Sequence, residues 1–286
     1  MNNSHIPESR VTISSNTLFH FTKSIDYIRS ILEDEFYPNL SLEDLSCLDL
    51  EKIAIPMVSF CDIPLHQTKT HMEYYGDYGI GLSKSWGQEN GANPVLYTYQ
   101  NSPLAIGLRQ SLEWANKKYL GLRKLGSIPL GGWARIASVI RADKKGQSTR
   151  HMQYLKLWDY LLRIQSLIKP YQGDFYRNGK LYKDVRFYDE REWRFVPELG
   201  EDLNKYLLDE TDYNNEEVRE KASEEIRKKR IHFEPSDIKY IIVSKKDEII
   251  QMIEVIEKIK GKRYKGDPIK LLCSKIICAD DIKEDF

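Results

Sequence analysis

The chain has 286 residues, a length that allows one large domain or two small ones. Its 43 basic residues balance 43 acidic residues, and this zero net charge excludes a general attraction to nucleic acid or to an anionic membrane, although local patches act independently of net charge. The polar N-terminus argues against a signal peptide, and no run of about 18 apolar residues predicts a membrane-spanning helix. The four cysteines form no CxxC pair, which predicts reduced, mostly buried thiols and a cytoplasmic protein.

The first elements follow from the spacing of apolar residues. Residues 1–15 are polar and are expected to be flexible. The aromatic and β-branched run TLFHFT at residues 17–22 predicts a strand, and Ser24 is expected to cap a helix that continues to about residue 35. Residues 40–53 are predicted to be a loop with a short helical turn. A strand bracketed by prolines follows at residues 55–64.

The middle of the chain alternates between strand and helix patterns. Residues 67–76 predict a short helix closed by Gly76, and residues 78–86 predict a strand that contains two glycines. Such glycines indicate a bulge or a backbone that another group approaches closely. Residues 93–99 predict a further strand. Longer helical patterns occupy residues 102–123 and 150–169.

The last part of the chain begins with strand character at residues 184–197, where apolar residues alternate. Residues 200–230 are strongly charged and predict a solvated helical insertion. A buried strand is expected at residues 238–244 and an amphipathic helix at residues 246–261. Residues 269–279 predict a closing strand or a pair of strands.

The order of these elements lacks regular alternation of strand and helix, which argues against a doubly wound sheet. The sequence therefore predicts an α+β fold. It shows no repeat and no linker that would divide the chain, so residues 1–286 are expected to form a single domain.

The segment YDEREWRF at residues 188–195 is the first candidate site. If it forms a strand, Glu190, Glu192 and Arg194 share one face because side chains alternate along a strand. Either this face is exposed and ion-paired, or Glu192 is a catalytic carboxylate with polar neighbours. In the second case, apolar shielding by Trp193 is expected to raise the pKa of Glu192.

The early strand LFHFT supplies a second candidate, because His20 points away from the phenylalanines on either side and Thr22 points the same way. His20 is either an ordinary strand histidine or a rigidly held hydrogen-bonding group for a ligand.

The strand YGIGLSK supplies a third candidate, with Tyr78 at its start and Ser83 near its end. The segment is either a strand with a bulge or a platform for a flat ligand ring. In the second case Tyr78 stacks on the ring, and Tyr74 and Tyr75 compete for that role.

Several common sites are missing from the sequence. No P-loop, GxGxxG, HExxH or GxSxG motif occurs, which disfavours nucleotide-binding and hydrolase folds of those classes. Asp62, His66 and His71 lie close together in sequence without a standard metal-ligand spacing, so no metal site is predicted.

Four stretches of the chain carry a family resemblance: TLFHFTKSIDYIRSIL, IAIPMVSFCDIPL, YGDYGIGLSKSW followed by NPVLY, and EREWRF. Together with the closing IKYIIVS and IICADDIKEDF they resemble the AbiGi-type abortive-infection family of bacteria, over roughly residues 17–286. The family carries the description of a phage-resistance antitoxin.

A more distant resemblance is to ADP-ribosyltransferase folds, including DarT-like toxins that modify nucleic acid. It implies two packed β-sheets that form a central cleft for NAD, which is the substrate. By position, His20 matches the early-strand residue, Tyr78 or Ser83 the middle one, and Glu192 the late catalytic glutamate, while Glu190 completes an ExE spacing. The neighbours Phe21, Thr22 and Arg194 are then expected beside the cofactor.

These resemblances predict that the protein is an NAD-dependent ADP-ribosyltransferase effector of anti-phage defence, which transfers ADP-ribose to a macromolecule such as RNA or DNA. An antitoxin or regulatory protein is expected to restrain it. Basic stretches at residues 117–118, 123–124 and 141–145 either contact phosphate or are solvated surface. The alternatives are a non-catalytic antitoxin, for which the charged helix at 215–230 is the partner surface, and an NAD glycohydrolase.

Overall fold

A computed structural model describes residues 14–115, 148–177, 179–198 and 207–285 of the chain. Within these ranges the protein is a mixed α+β protein, as predicted. The described residues form two compact units. The first lies within Met1–Glu33, Cys61–Trp86 and Glu234–Phe286, and the second lies within Asp34–Phe60 and Gly87–Phe233. The single-domain expectation stays a prediction.

The strands are numbered in chain order. They are β1 (Thr17–Thr22), β2 (Asn39–Glu43), β3 (Ile53–Cys61), β4 (Tyr78–Ser83), β5 (Asn93–Pro94), β6 (Leu96–Thr98), β7 (Ile168–Pro170), β8 (Gly173–Arg177), β9 (Lys180–Val185), β10 (Glu192–Phe195), β11 (Leu208–Asp209), β12 (Ile238–Val243) and β13 (Ile276–Cys278).

The α-helices are numbered in the same way. They are α1 (Ile25–Asp34), α2 (Lys69–Tyr75), α3 (Lys84–Glu89), α4 (Pro103–Ala115), α5 (Ser148–Ser166), α6 (Glu210–Asn214), α7 (Glu216–Ile226), α8 (Glu248–Lys260), α9 (Asp267–Cys273) and α10 (Ala279–Asp285). None of the described helices combines the length and hydropathy needed to cross a lipid bilayer.

The first unit is built on a sheet with the strand order β13–β12–β4–β1. β1 and β4 pair antiparallel along their whole length, and β12 pairs antiparallel with β4 and parallel with β13. Helix α1 begins where it was predicted, because the Ser24 hydroxyl accepts a bond from the Asp26 amide. A cluster that includes Phe19, Phe21 and Met72 forms the core of this unit.

Two glycines in β4 are explained by the strand beside them. A Cβ on Gly81 would lie 2.7 Å from Thr17 Cγ2 and 2.8 Å from the Phe19 ring, and one on Gly79 would lie 3.1 Å from the Phe21 ring. The groups that approach this backbone closely are therefore the aromatic rings of β1.

In the second unit, β3 pairs antiparallel with both β2 and β11, and β10 pairs antiparallel with β5. Two small sheets accompany them, the parallel pair β6–β7 and the hairpin β8–β9. The core of this unit packs residues of α4 and α5 such as Leu112 and Leu162 against Ile55 and Met57 of β3.

Three predicted strands are corrected by the structure. Residues 184–197 do not form one strand, because a 3₁₀ turn over Phe187–Glu190 and Arg191 in the left-handed region at φ 46° divide them. Residues 184 and 185 end β9, and Glu192–Phe195 forms β10. The strand predicted to residue 86 ends at Ser83, where α3 begins. The segment 93–99 contributes to two separate sheets as β5 and β6.

Two further segments differ from their predicted class. Residues 269–273 belong to helix α9, and only residues 276–278 form a strand, the short β13. The helix forms because Asp267 and Pro268 start it and Ile269 and Leu272 then fall on one buried face. The predicted loop at 40–53 contains most of β2. Within the predicted 200–230 insertion, α6 and α7 are helical and β11 is extended.

Some expectations fall outside the described residues. These include residues 1–13 of the predicted flexible N-terminus, the end of the helix predicted at 102–123, and all three basic stretches between residues 117 and 145. The four cysteines are free, and three of them are buried as predicted, whereas Cys273 is partly exposed.

Candidate functional site

The candidate carboxylate Glu192 begins β10 and lies on the same buried face as Arg194. The Arg194 side chain is fully buried, and its Nε donates to Glu192 Oε1 at 2.7 Å while Nη2 contacts Oε2 at 3.3 Å. Nη2 also donates to Glu43 of β2 at 2.5 Å, and Nη1 donates to the Ser166 carbonyl at the end of α5 at 3.0 Å. Arg194 therefore joins three separate parts of the second unit.

A second cation completes this group. Lys169 of β7 donates to Glu190 Oε2 at 2.5 Å and to Glu192 Oε2 at 2.6 Å. Its ammonium also lies 5.1 Å from the centre of the Phe187 ring. We call Glu43, Lys169, Glu190, Glu192 and Arg194 the charge cluster. With three carboxylates and two cations, it has a formal charge of −1 when all five groups are ionised.

The remaining acceptor position of Glu192 is filled by a hydroxyl. Ser59 of β3 donates to Oε1 at 2.9 Å, so each carboxylate oxygen accepts two bonds. An ionised carboxylate has about four lone-pair positions. The Glu192 carboxylate is therefore saturated by Ser59, Lys169 and Arg194, and a ligand hydroxyl would have to displace one of them.

The pKa of Glu192 is the reverse of what the sequence predicted. Burial alone raises the pKa, but the positive charges of Arg194 and Lys169 and their hydrogen bonds outweigh it and hold the pKa well below its usual range. The expected apolar shielding by Trp193 is thus overridden by ion pairing. The carboxylate is ionised at neutral pH.

A series of tyrosine rings leads from the charge cluster to the surface. The Glu192 amide donates to the Tyr97 hydroxyl at 2.8 Å, and burial raises the Tyr97 pKa well above its usual range. The Tyr97 ring meets the edge of Tyr188 at 5.3 Å, and Tyr188 stacks on Tyr171 at 5.5 Å. Both outer rings are exposed at the surface.

The early-strand candidates lie in the first unit. In the ladder between β1 and β4, His20 faces Ile80 and Thr22 faces Tyr78. Directly opposed residues project to one face, so His20, Thr22 and Tyr78 share a face, whereas Phe21 points to the other. The Tyr78 hydroxyl donates to Glu248 at 2.6 Å, and burial together with this bond raises its pKa to about 12.

Ser83 is placed differently from Tyr78. It lies opposite Thr17, and the alternation along β4 puts it on the other face of the sheet from His20. Its hydroxyl accepts a bond from the Trp86 amide at 3.2 Å, which makes Ser83 the N-terminal cap of α3. Of the two residues left open for the middle position, Tyr78 is the one that shares a face with His20.

The structure brings together part of the predicted site. Glu190, Glu192 and Arg194 meet in the charge cluster, although Glu190 reaches it from a 3₁₀ turn rather than from a strand. Sequence reasoning missed Glu43, Ser59, Lys169 and Tyr97. Glu43 is 151 residues away from Arg194 along the chain, and no local pattern marks such a pair.

The possible metal ligands have other roles. Asp62 accepts bonds from the Ser14 hydroxyl, the Ser15 amide and Lys84, each at 2.8 Å, and so anchors the start of β1. Within the described ranges, no group of three or more His, Cys, Asp or Glu side chains is arranged to hold a metal ion.

Comparisons with known proteins identify relatives of the chain. Residues 27–244 match the family model described as "Putative abortive phage resistance protein AbiGi, antitoxin". The chain is also 31% identical over 258 residues to the abortive phage resistance protein AbiGi of Lactococcus lactis subsp. cremoris, an alignment that covers 83% of this chain and 91% of the relative. No solved structure matches the chain significantly, so the ADP-ribosyltransferase-like pair of sheets stays a prediction. The chain belongs to the AbiGi family of abortive phage resistance proteins.

Proposed function

We propose that this chain is the antitoxin of an abortive-infection pair, a protein that binds a toxic partner protein and keeps it inactive. The observation that carries the proposal is a group of exposed tyrosines in the second unit, Tyr99, Tyr171, Tyr176 and Tyr188, of which Tyr171 and Tyr188 stack on each other at 5.5 Å. Their exposed fractions are 66%, 39%, 71% and 47%. Exposed tyrosines are typical of protein interfaces, because a large rigid ring is buried on binding while the hydroxyl still finds a partner.

The charged residues around these tyrosines in the sequence favour a protein partner over a nucleic acid. Three exposed cations, Lys180, Lys183 and Arg186, are interspersed with three exposed aspartates rather than forming a basic stripe. The aspartates are Asp174, Asp184 and Asp189. A mixed rim around aromatic residues is the usual composition of a protein interface. The description of the matched family as an antitoxin supports the same conclusion.

The saturated carboxylate of Glu192 also favours binding over catalysis. A catalytic glutamate needs an acceptor position for the ribose of NAD, and all positions on Glu192 are filled by groups of the protein itself. Glu192 and its partners hold β2, β3, β7 and β10 together, which is a structural role.

The proposal is tested in the strain that encodes the chain. The gene is deleted while its neighbours are kept, and the protein is supplied from a repressible plasmid. Growth is expected to stop when the supply is withdrawn and to continue with the wild type. The variant Tyr176→Ser/Tyr188→Ser is expected to fail to restore growth. The control Tyr27→Ser/Tyr160→Ser, which removes two other rings with exposed fractions of 60% and 59%, is expected to restore it. Immunoblots confirm equal amounts of soluble protein.

Two results contradict the proposal. One is normal growth of the deletion strain without any supplied protein, because an antitoxin is needed to restrain its toxin. The other is growth arrest in an unrelated host that expresses the wild-type chain alone, because an antitoxin is harmless without its partner.

A second candidate function is NAD-dependent ADP-ribosyl transfer to a macromolecule such as RNA or DNA. It is favoured by the convergence of Glu190 and Glu192 on the single ammonium of Lys169, which places the two carboxylates of the ExE spacing in one site. In this reaction the bond from ribose to nicotinamide breaks, its electron pair leaves with nicotinamide, and a nucleophile of the acceptor bonds to the same carbon. An ionised carboxylate stabilises the positive charge that develops on the ribose.

Labelled NAD distinguishes this candidate. The wild type and Glu192→Gln are incubated with total RNA, DNA or protein, after circular dichroism has shown that both are folded. Label on a macromolecule with the wild type and none with the variant supports the transferase. Label in free ADP-ribose alone indicates an NAD glycohydrolase, and unchanged NAD in every reaction excludes both activities.

A further inference from the structure

Residues 258–265, with the sequence KIKGKRYK, form an unusual stretch of the first unit that we call the basic segment. Five of its eight residues are cations and none is acidic, although the whole chain carries equal numbers of basic and acidic residues. The cations are Lys258, Lys260, Lys262, Arg263 and Lys265. Such a density of one sign creates a strong local positive potential.

The helix before it explains only part of this charge. Lys258 and Lys260 lie in the last turn of α8, where cations interact favourably with the helix dipole. Lys262, Arg263 and Lys265 follow the end of the helix, and the dipole effect fades beyond the last turn. The helix dipole therefore does not explain why these three cations lie so close together.

The backbone of the basic segment is held in a defined turn. The amides of Arg263 and Tyr264 both donate to the Lys260 carbonyl, at 3.0 and 2.8 Å. The Tyr264 hydroxyl donates to Glu234, and Arg263 forms an ion pair with the same carboxylate at 3.2 Å. The cations are thus presented on a fixed scaffold, which lowers the entropy lost on binding.

Most of these cations are directed to solvent. Lys258, Lys262 and Lys265 are exposed, and no ion pair to any of the three is found among the described residues. The Arg263 side chain is 65% exposed despite its contact with Glu234. Within the described residues, the charges of Lys258, Lys262 and Lys265 are therefore not balanced by an ion pair.

We propose that the basic segment is a docking site for double-stranded nucleic acid, which it contacts through the phosphate backbone. The charge complementarity is direct, since a duplex carries about one negative charge per 1.7 Å of its axis. A single strand is disfavoured because it is usually held by bases stacked on aromatic rings. The ring of Tyr264 is covered by the Arg263 guanidinium at 5.3 Å, and its hydroxyl is bound by Glu234. This inference does not rest on the antitoxin proposal.

The test measures binding of the full-length protein to a fluorescein-labelled DNA duplex of about 20 base pairs by fluorescence anisotropy. With about four phosphate contacts, the affinity is expected to fall about 100-fold between roughly 50 and 200 mM salt. Lys258→Gln/Lys262→Gln/Lys265→Gln is expected to weaken binding at least about tenfold and to reduce the salt slope by about 3.

The control is Lys156→Gln/Lys183→Gln/Lys229→Gln, which removes three exposed lysines outside the basic segment and changes the net charge equally. It is expected to bind within about twofold of the wild type. Equal weakening by both triple variants, or no duplex binding by the wild type at low salt, overturns the proposal. Tighter binding of a single strand, or displacement of the duplex by an equal charge of polyglutamate, also overturns it, and the latter points to an acidic protein.

Discussion

Arg194 and Glu192 lie two residues apart on one face of β10 and are joined twice, from Nε to Oε1 at 2.7 Å and from Nη2 to Oε2 at 3.3 Å. Both side chains are buried, so neither charge is solvated by water. The attraction is strong in this setting, but it offsets the cost of desolvation only while each partner is present. The stability of the second unit therefore depends on an intact pair.

Arg194→Met is expected to lower the free energy of unfolding by about 3–5 kcal/mol, because the buried Glu192 and the partly buried Glu43 lose their shared cation. Urea denaturation followed by circular dichroism measures this loss. The matched control is Arg29→Met, which breaks an exposed pair with Asp26 and is expected to cost less than about 1 kcal/mol. Similar losses in the two variants would show that burial does not set the strength of the Arg194 pair.

Glu192 also predicts a pH dependence. Its pKa is lowered in the folded protein, so its contribution to stability is present above the unfolded pKa of about 4.3 and is lost as pH falls through the folded pKa. The wild type is therefore expected to be more stable than Glu192→Gln at neutral pH, and the difference is expected to shrink below about pH 4.3. Urea midpoints measured across this range test the prediction, and a constant difference between the two proteins contradicts it.

The Tyr97 hydroxyl accepts the hydrogen bond of the Glu192 amide at 2.8 Å. Tyr97→Phe leaves this donor without its partner and is expected to destabilise the protein by about 1–3 kcal/mol. Tyr99→Phe is the control, since its side chain is largely exposed, and it is expected to change stability by less than about 0.5 kcal/mol. A Tyr97→Phe variant as stable as its control would mean that water or another group replaces the hydroxyl.

Two glycines are expected to respond to alanine with opposite signs. In β4, Gly81→Ala places a methyl group against Thr17 and the Phe19 ring and is expected to cost about 1–3 kcal/mol. In α4, a Cβ on Gly107 meets no atom within 4 Å, so Gly107→Ala is expected to stabilise the protein by about 0.5–1 kcal/mol through helix propensity. Thermal melts of both variants provide the measurement, and stabilisation by Gly81→Ala would contradict the close packing of β1 against β4.

The sequence predicted those features that depend on local spacing. The strand at residues 17–22, the cap at Ser24 and the helix that Gly76 closes were found because apolar period and turn chemistry are local signals. The interruption of the strand at Arg191 was not predicted, because the alternation of apolar residues continues across it. A pattern of residue types does not reveal a backbone φ of 46°.

The candidate site was predicted only in part for a related reason. Glu190, Glu192 and Arg194 are neighbours in sequence, so their proximity was evident. Their partners Glu43, Ser59 and Lys169 come from β2, β3 and β7, and only tertiary folding brings them together. The pKa of Glu192 is lowered by the charges and hydrogen bonds of Arg194 and Lys169, which outweigh burial. The expectation based on Trp193 was wrong because it considered apolar shielding and left out these two cations.

The saturation of the Glu192 carboxylate also limits which substitutions the family can accept during evolution. Replacing Arg194, Lys169 or Glu192 alone leaves a buried charge without its partner. Replacing the partners together by apolar residues often leaves the stability unchanged. Descendants of this chain can thus pass from one arrangement to the other only through an unstable intermediate. The positions of the charge cluster are expected to vary together among relatives, and a relative that lacks one of these charges should lack its partner as well.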